Sequence, residues 1–326
     1  MPFAACQEKS CMKRVSLVFP VYNEEEVLPL LYERVHHLLD QLPYETEVIL
    51  VNDGSRDRSL EMMIRYHQED PRFKVIDFSR NFGHQIAITA GMDAATGDAV
   101  ILMDADLQDP PELLPQFLQK WEEGFQVVYA VRKKRKEHIF KRVAYFIFYR
   151  LLQKISNIRI PLDSGDFCLM DRTVIDAIKN MGERRRFVRG LRSWVGFKQV
   201  GLEYERDKRQ AGEVKYTFSK LMRLALDGIF SFSYFPLQIA SYLGFVVSAL
   251  SFVAMTIYLY KKLFIHPDEP PGFPTLITVA LFLGGIQLLS LGVIGEYIGR
   301  IYDEVKRRPT YIVRAAYGCS FEKEKA

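Results

Sequence analysis

Cysteine is scarce. The 326 residues hold four, Cys6, Cys11, Cys168 and Cys319. They lie far apart or lack CxxC spacing, so neither a disulfide framework nor a zinc site is indicated, and a reducing compartment is the simplest reading. Charge of one sign is missing too: 44 Lys+Arg stand against 40 Asp+Glu, a net +4 that is too mild to argue for nucleic acid. No Walker A loop occurs and no GxGxxG follows the first strand-like run, so a P-loop and a dinucleotide fold both lose support. Internal repeats and low-complexity segments are absent. Near the N-terminus the one apolar run, Val15 to Val21, is interrupted by Pro20, and no cleaved signal peptide is expected.

The composition, 48% hydrophobic and 26% charged, excludes a disordered chain. Its average conceals segregation. From Gly228 to Tyr260 no residue is charged, and a second uncharged run covers Pro270 to Gly295. About 20 apolar residues suffice to span a bilayer, so a transmembrane hairpin is predicted, with spans of about 236–260 and 273–295. Lys220 and Arg223 precede the first span, and Arg300, Lys306, Arg307 and Arg308 follow the second. The connecting loop balances Lys261 and Lys262 against Asp268 and Glu269. Excess positive charge at both outer ends predicts that both termini are cytoplasmic.

The preceding region alternates strand-like and helical runs. Strands are expected at Val15–Pro20, Glu47–Asn52, Phe73–Phe78, Ala99–Asp104 and Gln126–Val131. Helices are expected at Glu24–Asp40, Asp57–Gln68, Gly83–Ala95 and Pro111–Glu123. Apolar strands separated by helices indicate an α/β fold with a mostly parallel sheet covered on both faces, whose ligands bind beyond the carboxyl ends of the strands. Ile139–Ile155 and Tyr216–Phe232 mix aromatic and basic residues, as suits helices at a membrane surface. The predicted organisation is an N-terminal extension (1–14), a cytoplasmic catalytic domain (15–215), a juxtamembrane amphipathic helix (216–234), a transmembrane hairpin (235–308) and a cytoplasmic tail (309–326).

Polar residues gather where strands end. Tyr22, Asn23 and Glu24 follow the first strand, Asp53 to Asp57 the second, and Asp104 and Asp106 the fourth. On an extended segment Asp104 and Asp106 would point the same way, and paired hard oxygens suit Mg²⁺ or Mn²⁺. Asp109-Pro110-Pro111-Glu112 reads as a helix start, with Asp109 the N-cap and Glu112 closing a capping box. Arg132–Arg142 is a basic clump that fits a phosphate site, a solvated face or an anionic-lipid contact, and Arg184–Arg192 is a second clump that reads as a solvated face until a context gives it a role. His84 reads as a structural histidine rather than a ligand or catalyst, with Asn81 and Gln85 beside it.

Four stretches occur in one order: Pro20-Val21-Tyr22-Asn23-Glu24, Val51-Asn52-Asp53-Gly54-Ser55, Asp104 through Glu112, and Asp163-Ser164-Gly165-Asp166-Phe167. Together they resemble the family 2 glycosyltransferases of GT-A fold, in the dolichol-phosphate-mannose-synthase-like branch, and within it the bacterial polyisoprenyl-phosphate glucosyltransferases with two C-terminal membrane spans. Gly212-Glu213-Val214-Lys215-Tyr216 resembles the basic loop of that branch, with Val214 a mild departure. The resemblance implies that Pro20, Tyr22, Glu24 and Asp53 hold the uracil and ribose of a UDP-sugar. Asp104 would sit near the ribose, Asp106 would bind the metal, and Gln108 would lie near the metal or sugar. It further implies that Asp163 and Asp166 face the acceptor and that Arg132, Arg135, Arg209 and Lys215 receive phosphate groups.

The implied reaction is metal-dependent, inverting transfer of one hexose, glucose first, from a UDP-sugar to polyprenyl phosphate at the inner membrane. GDP-mannose or a modified UDP-pentose is the alternative donor. The acceptor oxygen is already anionic, so a strong general base is optional. The implied partners are membrane lipids and further copies of the chain, a tetramer by resemblance, with no nucleic acid. A processive polysaccharide synthase would carry a QxxRW motif, and Arg189-Gly190-Leu191-Arg192-Ser193-Trp194 does not match it. A catalytically inactive membrane adaptor would have no need of Asp104, Asp106, Asp163 and Asp166.

Overall fold

The computed structural model describes residues 12–132, 164–184, 186–204, 235–264 and 272–319. Asp163, Arg135, Arg209 and Lys215 lie outside them, as do both proposed amphipathic segments. The described residues fall into two compact units. One comprises residues up to 204 together with 308–319, and the other comprises 235–307.

The first unit is built on an eight-stranded sheet. Its elements in chain order are β1 (Arg14–Val21), α1 (Leu28–Leu39), β2 (Glu45–Asn52), α2 (Ser59–Glu69), β3 (Phe73–Phe78), α3 (His84–Ala94), β4 (Ala99–Leu102), α4 (Leu114–Glu122), β5 (Val127–Arg132), β6 (Ser164–Asp171), α5 (Arg172–Lys179), α6 (Val188–Trp194), β7 (Gln199–Tyr204) and β8 (Val313–Tyr317). The spatial order is β7-β5-β6-β4-β1-β2-β3-β8. β1 pairs in parallel with both β2 and β4, β2 with β3, and β5 with β7, whereas β6 and β8 run antiparallel to their neighbours.

Helices cover both faces, as the apolar strand runs require. Val15, Leu17, Phe19 and Val21 share one core with Leu31 and Val35 of α1, Met63 of α2 and Phe117 of α4. Alternate residues of β1 point to the other face, where α3 lies. There a Cβ on Gly91 would stand 2.1 Å from Val18 Cγ1, so the absence of a side chain is what lets helix and strand meet. Asp171 caps α5 by accepting from the Thr173 N–H at 2.9 Å.

The strand order places the site. The chain runs outward from β1 through β2 to β3, then returns to put β4 on the other side of β1. Such a switch point opens a crevice beyond the carboxyl ends of the two central strands. Two sequence expectations change here. β4 ends at Leu102 and the chain turns from Ala105, with Leu107 at φ of 54°, so Asp106 lies on a turn and the pair is not carried by one strand. The capping box is not formed either. Asp109 accepts a hydrogen bond from the Tyr204 hydroxyl, while Glu112 grips Arg34 at 2.7 and 2.8 Å and Pro110 occupies the cap position.

The second unit holds two long helices, α7 (Phe235–Phe264) and α8 (Phe273–Val305). Leu237–Ile257 and Phe282–Val305 are apolar enough to cross a membrane, with mean hydropathies of 1.8 and 1.4. Their large side chains face outward, Phe245 at 74% and Leu288 at 73% exposed, which no helix packed in a water-soluble core would allow. α8 continues past Gly295, the expected end of the second span, and beyond it Glu296 and Arg300 pair at 2.9 Å one turn apart, a small addition to the helix.

Candidate active site

Three strand ends supply the frame. Asp53 N donates to Val21 O at 2.9 Å and Met103 N to Val18 O at 3.0 Å, tying the ends of β2 and β4 to β1. The loops beyond are stitched by side chains. Asn23 N donates to Ser55 Oγ at 3.0 Å, Arg56 N to Asn23 Oδ1 at 2.8 Å, and Glu24 N to Ser59 Oγ at 3.0 Å. Pro20, Tyr22 and Glu24 are half-buried along this rim.

Asp53 organises a further loop. Its carboxylate accepts from the N–H groups of Phe82 (2.7 Å) and Gly83 (3.0 Å), and its carbonyl from Asn81 Nδ2 at 3.0 Å. Burial pushes this carboxyl upward from its ordinary value, opposed by those backbone donors. Gly54 makes the close approach of the two loops feasible: it has φ of +68°, and a Cβ there would lie 2.6 Å from Asn81 N.

The loop delivers His84 to the centre. His84 Nε2 lies 3.5 Å from Asp104 Oδ1 and 3.4 Å from Asp166 Oδ2. Antiparallel pairing brings them to one end: Leu102 faces Cys168, and Asp104 and Asp166 each lie two residues beyond that pair. Arg189 of α6 then clamps Asp166, with Nε 2.8 Å from Oδ1 and a second guanidinium nitrogen 3.2 Å from Oδ2. Gln85 bridges the same elements, donating to Asp166 Oδ2 at 3.3 Å and accepting from Val188 N at 3.0 Å.

The charges sort accordingly. Burial would raise the Asp166 carboxyl, but Arg189 and His84 hold it well below the usual carboxylate range. Burial raises Asp104, with His84 opposing. Burial would lower His84, yet its hydrogen bond to Asp166 and the charge of Asp104 lift it to about 9. The ring therefore carries a proton at neutral pH.

A folded-state value above the unfolded one, about 6.5, means that His84 stabilises the fold fully below pH 6.5. That contribution is lost as pH rises toward 9. With 40% of the side chain reaching solvent, it amounts to roughly 1 kcal/mol at most. In histidine-labelled protein without ligands, the ring resonance missing from His84→Gln is expected to titrate near 9 in the wild type. It should return toward about 6.5 in Asp166→Asn, and a wild-type midpoint of about 6.5 refutes the assignment.

Divalent cations of the Mg²⁺ class take oxygen ligands, and one or two carboxylates with substrate phosphates suffice. Among the described residues Asp104 Oδ1 is buried and accepts no hydrogen bond, while Asp106 is half-buried with Oδ1 receiving the Gln108 N–H at 3.1 Å. Hard, underused oxygens of this kind fit such a cation. Among the described residues no cluster of three His, Cys, Asp or Glu side chains stands ready for a metal.

The structure thus brings Asp104, Asp166 and His84 together, with Asp106 and Gln108 on the adjoining turn. Arg132 ends β5 and pairs with Tyr204 by backbone. Sequence reasoning discounted His84 and did not single out Arg189 for this place. Three arginines of the basic clump at 184–192 are engaged rather than simply solvated: Arg189 binds Asp166, Arg192 is buried over the Tyr129 ring, and Arg186 donates to the carbonyls of Met181 and Glu183.

Residues 16–179 match the sequence family described as Glycosyl transferase family 2, and residues 235–301 match the GtrB C-terminal hairpin. The chain is 55% identical to the Uncharacterized glycosyltransferase YkcC of Bacillus subtilis (strain 168), over 93% of its own length and 94% of that protein. It is 46% identical to the Uncharacterized glycosyltransferase sll0501 of Synechocystis, over 94% and 96%. It is 44% identical to the Prophage bactoprenol glucosyl transferase homolog of Escherichia coli (strain K12), over 92% and 98%.

Proposed function

The chain belongs to glycosyl transferase family 2, and from that premise we propose that it transfers a single glucose from UDP-glucose to a polyprenyl phosphate, with inversion, on the cytoplasmic leaflet of the inner membrane. The observation that carries this reading is the end-to-end likeness to a bactoprenol glucosyl transferase homolog, hairpin included. Both termini and the GT-A-type catalytic domain would be cytoplasmic, the hairpin would span the bilayer, and the chains would associate as a homo-oligomer.

An acceptor phosphate oxygen attacks the anomeric carbon while the bond from that carbon to the UDP oxygen breaks on the opposite side. Pro20, Tyr22, Glu24 and the loop held by Asp53 form the nucleotide end. Mg²⁺ or Mn²⁺ held by Asp106 with Asp104 would neutralise the charge developing on the departing diphosphate. The remaining task is electrostatic, since two anions must approach each other beside several carboxylates. Arg189 and protonated His84 offset the Asp104 and Asp166 charges, so the site is less repulsive to an incoming phosphate than its acid count suggests. Asp166, held well below the usual carboxylate range, makes a weak base, and the acceptor oxygen is already ionised. Its role is therefore to orient and to balance charge. Asp163, Arg132, Arg135, Arg209 and Lys215 are assigned to the acceptor and diphosphate.

The test is transfer from labelled UDP-glucose to polyprenyl phosphate by purified chain with Mn²⁺ or Mg²⁺. One-sugar lipid is expected, abolished by chelator and lowered at least about a hundredfold by Asp106→Ala. Polymer, or transfer only from GDP-mannose, overturns the assignment.

A further inference from the structure

The strand that follows the second membrane helix is bonded to the back of the candidate site. Val313 comes eight residues after Val305, the last residue of α8. From Val313 to Tyr317 the chain runs antiparallel to β3, with Val75 opposite Tyr317 and Phe78 opposite Val313, and the register shifts between Asp77 and Phe78. At that irregularity the side chains take over. Arg314 sends one guanidinium nitrogen to Ser79 O at 2.8 Å and another to 3.6 Å from Asp77 Oδ2. Ser79 N donates to Ile312 O at 2.9 Å. The Tyr311 ring stacks on Phe78 with centroids 5.3 Å apart, and its hydroxyl donates to Asp93 Oδ2 of α3 at 3.0 Å.

Every one of these contacts lands on a segment that ends in the site. Ser79 begins the loop whose Phe82 and Gly83 N–H groups bind Asp53, and α3 begins with His84. Asp77 is buried, and its other oxygen accepts from Asn52 Nδ2 at 2.7 Å. Asn52 Oδ1 in turn accepts from Ser55 N at 3.1 Å, and Ser55 Oγ holds Asn23 N. Edge strands are commonly covered to prevent stray pairing. That purpose needs backbone pairing only, and not a guanidinium forked between a carboxylate and the carbonyl that starts the next loop.

We propose that Arg314 and Tyr311 are positioning residues, which hold the 79–83 loop so that Asp53 keeps its backbone donors and His84 stays between Asp104 and Asp166. As far as donor binding is concerned this rests on the function proposed above. The loop placement itself does not.

The experiment compares wild type, Arg314→Ala, Arg314→Lys and Tyr311→Phe as full chains in detergent. In Arg314→Ala, hydrogen exchange at the Phe82 and Gly83 amides is expected to quicken about tenfold, as follows from losing one charge-assisted bond, with β1 and β2 unchanged. Arg314→Lys should recover part of the protection, and Tyr311→Phe should loosen α3 near Asp93 to a smaller degree. The donor KM should rise about tenfold in Arg314→Ala while the acceptor KM holds. Unchanged exchange at Phe82 and Gly83, or faster exchange throughout β1 to β3, overturns the proposal, as does a parallel rise of both KM values. Altered exchange in a protein that transfers no glucose retains the positioning role and removes the proposed function instead.

Discussion

Asp166→Asn is expected to lower turnover by about 10²–10⁴-fold while leaving the protein folded. Asparagine keeps the shape of aspartate and removes its charge. In the wild type that charge accepts two bonds from Arg189 and lies 3.4 Å from His84 Nε2. With an amide in place, the guanidinium keeps one acceptor at most and the amide NH₂ group faces other donors. Arg189 then loses its main anion and is drawn toward the next strongest, which is Asp104 or a bound phosphate. His84 loses the partner that holds its proton. A site arranged to balance two phosphates against a fixed set of acids would hold the wrong charge at its centre. Single-turnover kinetics with and without Asp166→Asn measure the loss directly.

A double-mutant cycle with Arg189→Ala adds a second criterion. Groups that act as one unit are non-additive, so the double variant should be little worse than the poorer single one. Turnover within about tenfold of wild type in Asp166→Asn, or fully additive losses, would refute the unit.

The largest stability effect is expected at Gly91. Val18 is fully buried in the central strand β1, with β2 on one side and β4 on the other, so it cannot retreat. The 2.1 Å separation between its Cγ1 and a Cβ on Gly91 is far inside contact distance. Even alanine must push α3 off the sheet. Overpacking of this kind costs about 1–3 kcal/mol, offset in part by the roughly 1 kcal/mol helix preference of alanine over glycine. Gly91→Val adds two methyl groups to the same collision and should cost more than about 3 kcal/mol. Displacement of α3 also carries His84, its first residue, so transfer should fall along with thermal resistance. Removing the obstacle provides the control. Val18→Ala combined with Gly91→Ala is expected to survive heating better than Gly91→Ala alone. If the second substitution lowers resistance further, close packing at this point is not the cause.

Much of this was legible in the amino-acid order, because apolar strand runs and helical periodicity are local properties. β3 begins and ends where its apolar run does, and β1 and β2 extend it by one or two residues. The two long helices, apolar enough to cross a membrane, follow from uncharged length. Where neighbouring residues compete for roles, local reading went astray. Asp109 has the spacing of a helix cap, yet the Tyr204 hydroxyl claims it from 95 positions away. Asp104 and Asp106 look like alternate residues of a strand, yet β4 ends at Leu102 and a turn begins at Ala105, between them. The strand at Val313–Tyr317 lies in what the sequence presents as a tail, since five residues of mixed polarity carry no signal until an edge is present to receive them.

What the sequence alone determined is the division into a charged α/β region and a hairpin built on two uncharged runs, together with the polar strand ends where chemistry would gather. Both depend on hydrophobic burial and backbone propensity, which short windows of sequence specify. Only the tertiary structure decided which of the gathered groups belong together. Asp166 reaches Asp104 through an antiparallel register, Arg189 through a helix 23 residues further on, and His84 through a loop fixed by Asp53. Few reading frames would choose His84 or Arg189 in advance, because a charge acquires its role from the partner that desolvation forces on it. That partner is set by packing.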